Sequence, residues 1–449
     1  MKKDFSNGSP KKKVSSKRGG LKKSASHAVD FQKTVLPNGI RVLTEKHATS
    51  RAASCGIWVN RGTRDESPEE QGLAHFLEHL VFKRTENRNA YEISRDMEAV
   101  GGELNAFTSR EYTCFVTHSL KEHVGLSLDV LSDLVCRPTF AANDIKKEKQ
   151  VVVQEIHMSE DQLEDNIFDR YFEKVFAGSP LGKPILGTVE SINGMSRQKV
   201  VGFHGRQYTS ANTLVSVAGN VEHDEVVSLV KKHLKMPAAN PMAARAARLA
   251  PEINAFREVV KKPSEQVHIL MGFPAADFRA PLRFEAYIVN TILGGGMTSR
   301  LYQTVREDRG LVYTIHSQLV TFTDTGVNLV YAGTEPKNAP EVVELTLKEI
   351  KKLRKKGMTK AELEFFKTQV LGQILLGADD IESRMNSLGV NEMVFGKYRS
   401  VDDVMNDVKG VTIDSVHEYI EKYVDLDRLG MFLMGAVPEA PTKRWLDSL

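Results

Sequence analysis

The stretch GLAHFLEHLVF at residues 72–82 places two histidines and a glutamate inside an otherwise apolar run. Its apolar positions recur with helical spacing, which predicts a helix over residues 70–82. His75 and His79 are then one turn apart on one face, where both imidazoles can reach a single ion, and Glu78 lies beside that face. The order HxxEH therefore indicates a hydrolytic metal site. The plainer alternative, two partly buried histidines on a helix surface, leaves Glu78 without a role.

A catalytic metal site of this kind usually has three protein ligands, so another ligand is expected from a separate element. The best candidates lie in DIKKEKQVVVQEIHMSED, where Glu148 and Glu155 are seven positions apart on one face of a predicted helix. That face is otherwise lined by Val151 and Val152. A carboxylate on an apolar helix face needs a partner, and a metal ion would supply one. The alternatives by spacing are His157, Glu160 and Asp161.

The composition is typical of a globular protein with two domains. At 449 residues, the chain is too long for one ordinary core. Hydrophobic content of 41% and charged content of 27% fit a globular chain. The sequence has no apolar run of about 18 residues, the length that would predict a membrane span. Cys55, Cys114 and Cys136 are widely spaced without a CxxC pair, so neither disulfides nor a thiolate metal site are expected, and a reducing compartment is favoured.

The first 28 residues carry a concentrated positive charge. They hold nine Lys or Arg against Asp4, so the remainder of a chain of net charge +3 is mildly acidic. This segment lacks the apolar region of a secretory signal, and it is neither arginine-rich nor amphipathic like a mitochondrial presequence. A solvated tail is the preferred interpretation, and an arm for nucleic acid or anionic lipid is the alternative. We assign the tail no function and expect no nucleic-acid partner.

Two similar series of strands and helices follow one another along the chain. In each half a strand precedes a helix, a glycine-rich turn, a strand pair, two helices and a terminal strand. Between the halves, MPAANPMAARAARLAP is poor in large apolar groups and predicts a linker. The order predicts an α+β fold of two homologous layered α/β domains, each a mostly antiparallel sheet packed by helices. The predicted divisions are a disordered basic tail (residues 1–29), a metal-carrying domain (30–236), a linker (237–251) and a second domain (252–449).

Helix boundaries follow from periodicity and capping residues. The predicted helix over residues 143–157 begins with Asn143 or Asp144 as its N-cap. The predicted helix from residue 360 begins with a capping box of Thr359 and Glu362. ELNAFTSREYTCFVTHS predicts two strands about a turn. The predicted helices are 70–82, 89–100, 120–135, 143–157, a helix ending near residue 234, 281–293, 339–356, a helix from residue 360, and 413–424.

Three segments resemble a known peptidase family. AHFLEHLVFKRT, GGELNAFTSREYTCF and EKQVVVQEIHMSEDQ are similar to the inverted-motif zinc peptidases of the pitrilysin and insulinase family, in the branch of mitochondrial processing peptidase and its bacterial homologues. The family places its third ligand 76 positions after the second histidine, where this chain has Glu155, and a supporting glutamate where it has Glu148. The likeness covers residues 31–440 and implies one zinc ion per chain, held by His75, His79 and Glu155.

The second half extends the resemblance. LGGGMTSRLYQTVREDRGLVYTIHS is similar to the family's glycine-rich segment and places its arginine and tyrosine at Arg306 and Tyr313. In the family these two residues reach the substrate across a chamber. Without the family, they would be interpreted as a solvated helix charge and an ordinary strand aromatic. Asn105 and Ala106 match the edge strand on which the family lays the substrate backbone.

The resemblance implies a zinc-dependent endopeptidase that cleaves unfolded peptides or presequence-like segments in a chamber. Glu78 would be the general base, with Arg306 and Tyr313 holding the oxyanion and the substrate. A homodimer would close the chamber, and the acidic body favours basic peptides. The alternatives are a non-catalytic structural subunit and a processing peptidase that needs a distinct partner. The tail fits a cytoplasmic enzyme best, with the mitochondrial matrix as the second location.

Overall fold

The computed structural model describes residues 30–238 and 248–437. The predicted tail and residues 239–247 of the predicted linker lie outside these ranges. The strands are β1 Asp30–Val35, β2 Arg41–Lys46, β3 Ala52–Val59, β4 Glu103–Thr108, β5 Thr113–Leu120, β6 Thr213–Gly219, β7 Phe256–Lys261, β8 Val267–Pro274, β9 Val312–Thr321, β10 Gly326–Thr334 and β11 Gly430–Gly435. The helices are α1 Leu73–Val81, α2 Ala90–Glu98, α3 Val124–Cys136, α4 Ala142–Asp161, α5 Leu163–Val175, α6 Val189–Asn193, α7 Arg197–Gln207, α8 His223–His233, α9 Arg283–Gly294, α10 Ala339–Lys356, α11 Lys360–Ala378, α12 Ile381–Phe395, α13 Val401–Gly410 and α14 Ile413–Tyr423.

Two sheets of matching topology organise the chain. The first has the strand order β1-β2-β6-β3-β5-β4, and the second has the order β7-β11-β8-β10-β9. Each sheet has one parallel pair, β2 with β6 and β7 with β11, and its other pairs are antiparallel. Leaving out β1, the strands of the two sheets correspond one to one in order and direction. The predicted α+β fold of two homologous halves is confirmed.

Helices cover one face of each sheet and enclose the two largest cores. In the first half, α1, α3, α4 and α8 pack on the sheet through buried residues such as Phe76, Leu131 and Val152. In the second half, α9, α10, α11 and α14 pack in the same manner through residues such as Ile292 and Leu353. Burial of apolar surface contributes about 25 cal/mol per Å², so these faces hold the layers together.

Two helices cross from one half to the sheet of the other. α12 packs on the first sheet, where Ile381 and Met385 share a core with Trp58. A Cβ atom at Gly389 would lie 2.3 Å from Cε2 of Trp58, so only glycine allows this approach. α5 packs on the second sheet, where Tyr171 is fully buried. The two halves therefore share these cores. The predicted domain divisions stay a prediction.

The predicted start of two helices is wrong. The N-cap of α4 is Ala141, not Asn143 or Asp144, because the extended backbone turns into the helix before those residues and no side chain caps it. α3 begins at Val124 and not at residue 120, because Leu120 still pairs in β5. The capping box of α11 is present as predicted.

Several elements are absent from the sequence prediction. These are α5, α6, α7, α12, α13 and β7. The buried face of α12 includes the charged Arg384 and Glu392, so its apolar residues alone do not outline the single face that reveals a helix. Val151 is 45% exposed, so the expectation that it lines the face of Glu148 is wrong, whereas Val152 is buried. Within the described ranges, no helix has both the length and the apolar character needed to cross a membrane.

Candidate metal centre

The side chains of α1 and α4 meet in one cluster. His75 and His79 project from successive turns of α1, and their ring centroids are 4.6 Å apart. Glu155 of α4 faces both, with Oε1 3.8 Å from Nε2 of His75 and Oε2 3.5 Å from Nε2 of His79. One ligand atom from each residue lies within 4.8 Å of the others, and among the residues that the structure describes no second group of this kind occurs. The structure thus brings the three predicted ligands together.

His75 is held in an apolar setting. Phe76, Leu77 and Leu80 anchor α1 in the core, and His75 is 8% exposed. Burial, together with the charge of His79, lowers the pKa of His75 to about 3, so the ring is neutral near pH 7 and able to coordinate a metal. Its Nδ1 is buried with no hydrogen-bond partner in the described part of the chain.

These donors fit a zinc ion. Two imidazole nitrogens and a carboxylate oxygen are ligands that zinc prefers, and three protein ligands leave a position open for water or substrate. Nε2 of the neutral His75 ring and Nε2 of His79 both face the Glu155 carboxylate, at 3.8 and 3.5 Å. A cation would satisfy this arrangement, since buried polar groups are costly without partners.

Glu148 lies behind His79. Its Oε1 is 2.9 Å from Nδ1 of His79, and its Oε2 is 2.8 Å from Nζ of Lys83. Burial alone raises the pKa of Glu148, but the hydrogen bond with His79 and the contact with Lys83 lower it overall. Burial alone lowers the pKa of His79, but Glu148 and the neighbouring carboxylates raise it overall. Glu148 therefore orients the ring so that Nε2 faces Glu155.

Glu78 lies beside the two histidines and is attached to the edge of the first sheet. Oγ1 of Thr108, the last residue of β4, donates a hydrogen bond of 2.5 Å to Oε2 of Glu78. Burial raises the pKa of Glu78, although this hydrogen bond opposes the shift. A carboxyl group whose pKa is raised towards neutrality suits both acceptance and return of a proton.

The predicted substrate residues lie on β4. This strand is at the edge of the first sheet and pairs on one side, with β5. Asn105 is exposed, and Ala106 is half-buried against the core. Oδ1 of Asn105 accepts a hydrogen bond of 2.8 Å from the amide of Ala106. Among the described residues, no strand pairs with the other side of β4.

Arg306 and Tyr313 lie together in the second half. Arg306 belongs to a π-helix, Tyr302–Glu307, of the kind that is frequent at functional sites. Its guanidinium carbon lies 4.6 Å from the ring centroid of Tyr302 and 5.6 Å from that of Tyr313. Tyr313 is 81% exposed. Within the described ranges, no hydrogen bond, ion pair or ring contact joins this pair to the metal cluster of the same chain.

Two family models match the chain. The model described as "Insulinase (Peptidase family M16)" matches residues 41–189, and that described as "Peptidase M16 inactive domain" matches residues 194–370. The chain belongs to the insulinase family of peptidases. The resemblance found in the sequence is confirmed, and the half without the His and Glu cluster is the one that matches the inactive-domain model.

Bacterial insulinase-family relatives cover most of the chain. A Mycobacterium leprae protein named "uncharacterized zinc protease" is 37% identical over 420 residues, which are 93% of this chain and 94% of the relative. A Bacillus subtilis protein of the same description is 35% identical over 380 residues, 85% of this chain and 92% of the relative. The names of these relatives support a peptidase that uses zinc.

Solved structures share the fold. A protease from Helicobacter pylori has a TM-score of 0.84 at 21% identity, covering 90% of this chain and 99% of its own. A "peptidase M16 inactive domain" from Pseudomonas fluorescens has a TM-score of 0.85 at 18% identity, covering 91% of this chain and 98% of its own. At such identities the likeness shows the insulinase-family fold alone.

The alternative ligands lie outside the insulinase-family cluster. The side chain of His157 is 57% exposed, and its Nδ1 is 3.7 Å from Oε2 of Glu160. Asp161 is the last residue of α4. The three-residue group within the described ranges includes none of them.

Sequence reasoning misses three side chains of this insulinase-family arrangement: Lys83, Thr108 and Tyr302. Lys83 and Tyr302 lie four positions from His79 and Arg306, respectively, so helical spacing could have identified them. Thr108 meets Glu78 only because β4 lies beside α1 in the fold. No local pattern in the sequence marks that contact.

Proposed function

We propose that this insulinase-family chain is a zinc endopeptidase that hydrolyses unfolded peptides. The observation that carries the proposal is the convergence of His75, His79 and Glu155, with Glu78 beside them. The names of the bacterial relatives support zinc and peptide-bond hydrolysis. All four positions of the inverted motif and its third ligand are filled by the residue types that the chemistry requires.

The side chains divide the work of hydrolysis. A bound zinc ion would supply Lewis acidity, which acidifies water and polarises a peptide carbonyl. Glu78 takes a proton from the attacking water and delivers it to the leaving amine, while Thr108 holds one of its oxygens in place. Glu148 keeps the ring of His79 oriented through Nδ1.

We propose that the substrate backbone adds to the free edge of β4 at Asn105 and Ala106. Main-chain hydrogen bonds at a sheet edge give affinity with little dependence on the side chains of the peptide. Asn105 holds the amide of Ala106 through its own Oδ1, so the side chain of Asn105 must turn away as the peptide pairs. A peptide that pairs with this edge must offer free backbone N–H and C=O groups. An unfolded segment has them.

Basic peptides are the favoured substrates. A cavity of about 450 Å³ lies between α4, α5 and the segment over residues 184–190, and its lining on α4 includes Ile156, the residue that follows Glu155 in the sequence. Carboxylates outnumber cations in its lining, so a positive side chain is attracted there more than a negative one. The charged residues of the lining are Glu160, Asp169, Glu173, Glu190 and Arg170.

We propose that two chains close around the peptide. Arg306 and Tyr313 lie in the second half and make no described contact with the metal cluster of their own chain, so a second copy is the natural source of this pair at each site. There they would hold the substrate backbone and the developing oxyanion.

Cys55, Cys114 and Cys136 are free thiols, which supports a reducing compartment, and we retain the cytoplasm as a prediction.

The first experiment measures cleavage of a quenched, basic, unfolded peptide and bound zinc in the same purified sample. Wild type is compared with Glu78→Gln, with His79→Ala, and with Glu98→Gln as a control at an exposed glutamate of α2. We expect zinc in all but His79→Ala, and cleavage in wild type and the control alone. Full activity of Glu78→Gln would overturn its role as the base.

The second candidate is a subunit that acts only with a distinct partner. The match of residues 194–370 to the inactive-domain model gives this possibility its support. Zinc in the wild type without cleavage by the purified chain would favour it. Cleavage by the chain alone would exclude it.

A further inference from the structure

The start of α1 has an unusual cap. Its N-cap residue, Gly72, has φ +85° and no side chain to accept a hydrogen bond from the first turn. A Cβ atom at Gly72 would lie 2.7 Å from the carbonyl oxygen of Leu186, so another residue is excluded by both conformation and space. The free amides of this turn must therefore find an acceptor elsewhere.

Glu66 provides that acceptor from outside the helix. Its Oε2 accepts a hydrogen bond of 2.8 Å from the amide of Gly72, and its Oε1 accepts one of 2.7 Å from the amide of Ala74. One carboxyl group thus holds two points of the first turn. Ala74 directly precedes His75, so the held backbone adjoins the first predicted zinc ligand.

The backbone on which Glu66 sits is itself fixed. Arg64 is bound by two hydrogen bonds to Asp324 of the β9–β10 turn, at 2.8 and 2.7 Å. Asp65 accepts a hydrogen bond of 2.6 Å from Arg248. Both arginines also reach Oε1 of Glu111, each at 2.9 Å. This network anchors residues 64–65 to both halves of the molecule.

We propose that Glu66 is a positioning residue for the metal centre. It holds the first turn of α1 at the height where His75 and His79 can share an ion with Glu155, and residues 64–65 tie this anchor to the second half. The inference rests on the proposed zinc-peptidase function. A displacement of the helix start by a fraction of an ångström would separate ligands that converge from two helices, and metal sites are sensitive to such displacements.

The test compares Glu66→Ala and Glu66→Gln with wild type in the full chain. The zinc dissociation constant is measured by competition with a chromophoric chelator, and kcat and KM are measured on the basic peptide, both well below each Tm. For Glu66→Ala we expect zinc affinity to fall about tenfold or more, with a parallel loss of kcat and little change in KM. Glu66→Gln keeps one acceptor oxygen and should recover part of both.

The matched control is Asn89→Ala. Asn89 caps α2, a helix of nine residues like α1, by accepting a hydrogen bond of 3.0 Å from the amide of Glu92. Loss of this cap should lower Tm while leaving zinc affinity and kcat unchanged. A purely structural role of Glu66 would produce the same pattern.

Each outcome decides the matter. Wild-type zinc affinity and kcat in folded Glu66→Ala would overturn the inference, and so would wild-type values in Glu66→Gln if the alanine variant fails to fold. Reduced zinc affinity with partial recovery in Glu66→Gln would support it. A wild-type chain with neither zinc nor cleavage would instead overturn the proposed function, so the two failures are distinct.

Discussion

The two ring nitrogens of His79 have different partners. Nδ1 is bound to Glu148, and Nε2 faces Glu155. A carboxylate on the far nitrogen fixes the tautomer and increases the basicity of the nitrogen that faces the metal. The affinity of the site for zinc therefore depends on a residue that is not itself a ligand.

Truncation of this support should weaken zinc binding. We expect Glu148→Ala to reduce zinc affinity about 10–100-fold, because the ring of His79 loses its orienting partner. The measurement is chelator competition on the purified chain. His157→Ala is the control, since His157 lies two residues from Glu155 but has an exposed side chain. Equal zinc affinity in Glu148→Ala and wild type would contradict the prediction.

At the scale of the element, α12 is the helix that joins the second half to the first sheet. Met385 and Ile381 pack beside Trp58, and Oγ of Ser216 donates a hydrogen bond of 3.0 Å to the carbonyl of Met385. Gly389 brings the helix backbone against the ring of Trp58. The helix therefore depends on close backbone approach as well as on apolar burial.

A side chain at Gly389 should push α12 away from the sheet. We expect Gly389→Ala to lower the free energy of unfolding by about 1–3 kcal/mol, the usual cost of overpacking. Gly372→Ala in α11 is the control, because a Cβ atom there meets nothing within 4 Å and alanine favours the helix. Urea unfolding of both variants measures the difference. Equal free energies of unfolding for Gly389→Ala and wild type would contradict the prediction and show that the contact relaxes freely.

The same helix carries a buried ion pair. Arg384 donates to both carboxylate oxygens of Glu45 in β2, at 2.7 Å each. Burial alone raises the pKa of Glu45, but hydrogen bonds from His47 and Arg384 lower it to about 2. Because the folded-state pKa lies below the ordinary glutamate pKa of 4.5, the stabilisation is present above that pH and is lost as pH falls towards 2.

Removal of the arginine should therefore change both stability and its pH dependence. We expect Arg384→Met to lower the free energy of unfolding near pH 7 by about 3–5 kcal/mol, because Glu45 keeps a buried charge without its main partner. The loss relative to wild type should shrink below about pH 4, where Glu45 can be protonated. Urea titrations across this pH range make the comparison, with Lys337→Met at an exposed ion pair as the control. A pH-independent difference would contradict the assignment.

At the scale of the whole molecule, the two halves of one chain are in contact. The metal cluster and the pair of Arg306 and Tyr313 make no contact with each other within the described residues. α5, α12 and the network of Arg64 with Asp324 connect the halves. The metal cluster lies on α1 and α4, and Arg306 with Tyr313 lies at the edge of the other sheet. This separation is the reason for proposing that a second chain completes the site.

Mixing two inactive variants tests this arrangement. If Arg306 acts on the other chain's zinc site, a mixture of Glu78→Gln and Arg306→Ala chains should recover about a quarter of wild-type activity, since half of the random dimers hold one intact site. Each variant alone is the control. No recovery, with mixed dimers shown to form, would place Arg306 in the site of its own chain or outside the site.

The sequence alone determined what depends on local spacing. The pattern of His75, Glu78 and His79 predicts a shared helix face, and alternating strand and helix periods predict the duplicated α+β order. Glu155 was one of several carboxylates until the family resemblance selected it. Because the buried face of α12 includes the charged Arg384 and Glu392, the apolar periodicity carried too little information to reveal the helix.

Only the tertiary structure decided which distant residues meet. Thr108 reaches Glu78, Glu66 caps α1, and Arg384 pairs with Glu45 across the two halves. These contacts join residues on separate elements, so they depend on how sheets and helices pack and leave no period along the chain. Residue types and their spacing predicted the chemistry of the site. The residues that hold the site in place could be identified only in the fold, because burial and long-range packing position each of them.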